Sequence, residues 1–119
     1  MYKDPNLLLG VAKYEAKENL MTMKAGDILQ DACDASRIRR DARSMMEIAK
    51  FENTENIMDA KAGDILYEAY TMAKSNRDVS TMLRIADYEG ENDIMSISVE
   101  QIRSEAMSIP PHYGGGYPY

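Results

Sequence analysis

Glu15, Glu52 and Glu89 stand 37 residues apart, and Glu18, Glu55 and Asp93 follow each of them three or four residues later. Carboxylates gathered like this are what hard cations such as Ca²⁺ and Mg²⁺ take as ligands. They are also the groups left to do acid–base work where histidine is missing. Histidine is nearly missing here, since His112 is the sole copy and lies in the last eight residues. A di-iron bundle site needs Glu-x-x-His pairs and is excluded. The expected reading is therefore a solvated acidic face, hydrogen-bonded to neighbouring turns, with no metal and no cofactor. A carboxylate metal-binding protein stays a distant third possibility for function.

Cys33 is the lone cysteine, so no intrachain disulfide can form. With no histidine beside it and no serine motif elsewhere, it is not expected to be a nucleophile. It aligns with Tyr70 and Met107, which predicts one shared packed slot. No catalytic residue is assigned, and an enzyme is not expected. Arg37, Arg39 and Arg40, with Arg43 close by, form the one basic cluster. It is a candidate grip for an acidic partner, against the plainer reading of salt bridges to nearby acids. The net charge of -6 argues against a nucleic-acid surface.

Two further features bear on partners. Gly26 and Gly63 fall inside helical patterns, where glycine costs about 1 kcal/mol relative to alanine. They are read as close helix–helix crossings, and Ala-Gly-Asp lacks the glycine-rich turn of a phosphate loop. The end of the chain, from Pro110 to Tyr119, changes composition sharply. Tyr113, Tyr117 and Tyr119 alternate with glycine and proline there, able to stack and hydrogen-bond at once, and are candidate interaction residues.

These residues ride on a repeat. Asp4, Asp41 and Asp78 align at the same 37-residue offset, as do Tyr14, Phe51 and Tyr88, and Met21, Met58 and Met95. Lys24-Ala25-Gly26-Asp27-Ile28-Leu29 returns as Lys61-Ala62-Gly63-Asp64-Ile65-Leu66. Units 4–40 and 41–77 agree at 15 of 37 positions, where chance gives about two. The third unit, 78–107, is diverged, as a terminal cap commonly is.

Each unit reads as helix. No proline stands between Pro5 and Pro110, and Ile48, Phe51, Met58, Ala62, Ile65, Ala69 and Met72 make a seam spaced by threes and fours. The aspartates at 4, 41 and 78 suit N-caps, with Pro5 at the first helical position. Polar residues interrupt the seam at Glu18, Glu55 and Asn92. Asn19, Asn56 and Asp93 would then cap a second helix in each unit, after a break near Asn53 and Gly90. The sequence thus predicts an all-α domain over 1–109, three stacked helical hairpins with six helices, followed by a flexible tail over 110–119. Three long antiparallel helices are the alternative.

No secretion signal is read at the N-terminus, and Leu7–Ala12 is too short to span a bilayer. The expected place is the cytoplasm or an assembled particle. The expected function is a structural protein that self-associates into an oligomer, filament, shell or virion-type assembly. An adaptor that binds a protein or peptide is the alternative. The expected partner is itself or another protein, with neither nucleic acid nor membrane involved.

Overall fold

The computed structural model describes residues 4–18 and 24–110. They form six α-helices and, among the described residues, no strand: α1 (Pro5–Glu18), α2 (Ala25–Arg39), α3 (Ala42–Glu55), α4 (Ala62–Ser75), α5 (Val79–Asn92) and α6 (Val99–Ser108). Three long helices are thereby replaced by six short ones. α1 packs most extensively on α2, α3 on α4 and α5 on α6, with smaller contacts of α2 on α3, α4 on α5, α1 on α3 and α3 on α5.

The helix starts follow local chemistry. Asp41 Oδ1 accepts from Ser44 N at 3.0 Å, and Asp78 Oδ1 accepts from Thr81 N at 3.1 Å. Asp4 Oδ1 accepts from Asn6 N at 2.9 Å, and Pro5 opens α1. Each aspartate satisfies an amide that the first turn would otherwise leave unpaired.

The helix ends differ from expectation. Asn56 and Asp93 do not start the second helix of their units. They close the first one, with φ of 53° and 51° and their own amides donating to Glu52 O and Glu89 O. Asn and Asp enter the left-handed region more readily than other side chains, which favours a C-terminal role here. Asn53 and Gly90 consequently lie within α3 and α5. Arg40 and Arg77 are also left-handed, at 55° and 58°. Both sit in the tight link before the next aspartate, so the link after α2 is only Arg40 and Asp41.

The core is aliphatic and rich in methionine: Leu29, Met45, Met46, Ile48, Ile65, Leu66, Met82, Ile85 and Ile102 are fully buried. The small residues Ala12, Ala32, Ala49, Ala69 and Ala86 are buried in the same cluster. Of the Leu7-Leu8-Leu9 run, Leu9 is buried and Leu7 is exposed. No helix among the described residues is long and apolar enough to cross a membrane.

Candidate functional site

The aligned glutamates Glu15, Glu52 and Glu89 are buried, not solvated. Burying a carboxylate is unfavourable unless it is hydrogen-bonded, and the turn that follows supplies the donors. Glu52 Oε1 accepts from Ile57 N at 3.0 Å and Met58 N at 3.1 Å. Glu89 Oε1 accepts from Ile94 N at 2.8 Å and Met95 N at 2.9 Å. These carboxylates fasten the turn between the two helices of a unit. Glu55 and Asp93 stay exposed. Among the described residues, no three His, Cys, Asp or Glu side chains gather where they could hold a metal ion.

The fastened turn meets the preceding unit at its glycine. Gly26 and Gly63 lie in the first turns of α2 and α4. A Cβ on Gly26 would stand 2.3 Å from Ile57 O, and one on Gly63 would stand 2.0 Å from Ile94 O. The close approach is thus to a loop carbonyl of the next unit, not to a second helix. Lys24 and Lys61 occupy the N-cap positions of α2 and α4 without a side-chain hydrogen bond to the first turn. A carbonyl oxygen brings negative charge to the helix end where the macrodipole favours it. Depressions open beside both contacts, lined by Glu52, Asn53, Asn56 and Lys61 in one case and by Glu15, Lys24, Asp27 and Asp59 in the other. Among the described residues, no serine, cysteine or histidine lines either.

Two arginines of the basic cluster, Arg37 and Arg40, are engaged between the same two units. Arg37 Nε donates to Glu68 Oε2 and Nη2 to Glu68 Oε1 at 2.9 Å, while Nη1 reaches Asp34 Oδ1 at 2.9 Å. The hydrogen bond to Glu68 raises the guanidinium further above its already high range. One repeat later Lys74 Nζ stands 3.0 Å from Glu105 Oε1, so the pairing recurs with the sequence period. Arg40 Nη2 donates to Ser75 Oγ at 3.0 Å, and Arg40 O accepts from Asn76 Nδ2 at 2.9 Å. Those bonds offset a left-handed backbone that costs an arginine about 1–2 kcal/mol. Arg39 lies 3.8 Å from Asp4. Tyr113, Tyr117 and Tyr119 lie outside the described residues.

Cys33 is buried in α2, and burial pushes its thiol up to about 12. Since the thiolate is the reactive form, Cys33 in the folded chain should resist iodoacetamide at pH 8 and be alkylated only in denaturant. Prompt labelling of the native chain, followed by intact mass, would contradict this. Tyr70 fills the equivalent position and is buried, but Met107 does not: it is 82% exposed. The shared slot is therefore not kept in the third unit.

The two ends of the helix series therefore differ. On α1, Leu7 is 67% exposed and Tyr14 58%. Their equivalents lie under the preceding unit: Asn6 Oδ1 is 2.9 Å from Ser44 Oγ, Lys13 Nζ lies over the Phe51 ring and Lys50 Nζ over the Tyr88 ring. At the other end, Glu100 stands where Gly26 and Gly63 do, and Arg103 where Leu29 and Leu66 do. Arg103 Nη2 donates to Asp87 Oδ1 at 3.0 Å, and Asp87 occupies the position of Lys13 and Lys50. Ser98 accepts from Gln101 N, so α6 carries its own side-chain cap. No family model matches this chain, and no curated protein or solved structure is significantly similar to it.

Proposed function

We propose that the chain is a structural helical-repeat protein of three stacked hairpins that self-associates, with the α1 face as its contact surface. The observation that carries this reading is the exposure of Leu7 and Tyr14 at positions that later units cover. The same surface on α3 and α5 is already an interface within the chain, packed by the unit before it. On α1 an apolar leucine stands where Ser44 and Thr81 stand in the later copies. Its burial against a second chain would be favourable by roughly 2 kcal/mol. The second copy is the occupant argued for, because an intrachain joint of the same kind continues this surface. The tail tyrosines are proposed as a second adhesive element, offering large contact area with few rotatable bonds.

Size-exclusion chromatography with light scattering tests the reading. The full chain should run above 13.4 kDa, and Leu7→Lys with Tyr14→Lys should shift it toward the monomer while its helical signal stays. A chain ending at Ile109 should fold as before and associate more weakly. A wild-type monomer at high micromolar concentration would favour the adaptor instead.

A further inference from the structure

The cations of the helices divide into two groups. On the second helix of each unit every one is answered by an acid: Arg37 by Asp34 and Glu68, Arg39 by Asp4, Lys74 by Glu105 and Arg103 by Asp87. On the first helices the pattern reverses. Among the described residues, Lys17, Arg43 and Arg84 meet no carboxylate, and Lys13 meets only the Phe51 ring. Lys50 is the exception, 3.6 Å from Glu47. These side chains share one surface. α1, α3 and α5 lie side by side, and positions 6, 10, 13 and 17 of α1, with their equivalents on α3 and α5, form a row at helical spacing that is exposed or half-buried throughout. Two of its three acids are already engaged, Glu47 by Lys50 and Asp87 by Arg103. What stays unanswered is Lys13, Lys17, Arg43 and Arg84 against Glu91, on a chain whose net charge is -6. Between α3 and α5 the row dips into a notch. Met46 and Tyr88 give it an apolar lining, and Lys50 and Arg84 a basic one, beside Asp87 and Glu91.

We infer that this row binds an extended acidic peptide segment, one apolar side chain of which enters the notch between α3 and α5. The acidic partner expected at Arg37, Arg39 and Arg40 is thereby moved to side chains that the fold leaves unengaged. Cations held apart from acids on an otherwise acidic chain give such a segment one surface to settle on, and they fix its direction by charge. A peptide fits better than a nucleic acid. Its carboxylates can be spaced to meet Lys13, Arg43 and Arg84 and to avoid Glu91. A phosphate backbone is charged at every nucleotide and would also lie against Glu47, Asp87 and Glu91. Packed helices stand about 8–10 Å apart, so the three rows span roughly 20 Å, the reach of about six or seven extended residues. The inference stands apart from self-association, because neither Leu7 nor Tyr14 belongs to the row.

Fluorescence anisotropy of the full chain tests this, with a labelled probe of about eight residues, glutamates around one central phenylalanine, at low salt. The probe should bind, and its counterpart with lysines in place of the glutamates should not. Added salt should weaken binding, since exposed charges are screened. Arg43→Gln with Arg84→Gln should lower affinity roughly tenfold, the sum of two exposed pairings. Lys24→Gln with Lys61→Gln removes the same charge away from the row and should change affinity by less than about twofold. Should the first pair disturb the helical signal, Lys17→Gln and Arg84→Gln made singly carry the comparison, each with a loss of about threefold. Serine in place of the probe's phenylalanine should weaken binding several-fold, and an unchanged affinity would remove the notch from the inference. Equal losses in the two double variants would place binding elsewhere on the chain. No binding of the acidic probe at low salt, or tighter binding of a thymidine oligonucleotide of similar length, would overturn the inference. A wild type that light scattering shows to be monomeric, yet that binds the probe, would remove self-association and leave this surface standing.

Discussion

Glu52→Ala should destabilise the protein by roughly 3–5 kcal/mol, through two stranded amides and the space left by the side chain. Ile57 N and Met58 N, in half-buried residues, both depend on the buried Glu52 carboxylate, and a donor left unpaired away from water costs about 1–3 kcal/mol. Glu52→Gln should cost less, because an amide oxygen still accepts. Denaturant unfolding followed by circular dichroism measures both. A loss under about 1 kcal/mol for the alanine variant would mean that water replaces the carboxylate at the turn, and the fastening role would be wrong.

Gly63→Ala should cost roughly 1–3 kcal/mol, since its Cβ would lie 2.0 Å from Ile94 O. Helix propensity alone argues the other way, favouring alanine by up to about 1 kcal/mol. Gly10 separates the two effects: it lies in α1 with nothing within 4 Å of an added Cβ. Gly10→Ala should therefore hold or raise stability while Gly63→Ala lowers it. Equal gains at both positions in thermal unfolding would show that the Gly63 contact yields. The two sites are also linked one unit apart. Glu52 holds the turn whose Ile57 carbonyl meets Gly26, so Gly26→Ala should cost less once Glu52 is alanine.

The helices and their starting caps were legible because they are local. An aspartate before an apolar period, repeated three times, needs only its own turn to act. The buried glutamates were half legible. Their recurrence at 15, 52 and 89 was plain, yet an acidic residue reads as solvated unless its backbone donors are known, and those come from a turn whose path the sequence does not give. The same gap misplaced Asn56 and Asp93, since both residues suit either end of a helix. Gly26 and Gly63 signalled a close approach without naming what approached. Glu100, Arg103 and Asp87 read as mere divergence, because their meaning is relational: each shows only against its counterparts, Gly26 and Gly63 beside a turn carbonyl, Leu29 and Leu66 in the core, and Lys13 and Lys50 over an aromatic ring.

The joints described between units share a short reach along the chain. Arg37 meets Glu68 at a separation of 31 residues, Asn53 meets Tyr88 at 35 and Asn76 meets Arg40 at 36. No extensive helix contact among the described residues joins α1 or α2 to α5 or α6. Ordering the described helices therefore requires no extensive contact across a loop much longer than one repeat, so the entropy of bringing distant segments together is incurred in small instalments. A topology of this kind has low contact order and folds fast for its length. It can begin at any neighbouring pair of units and spread outward, and the middle unit, held on both sides, is the last to loosen.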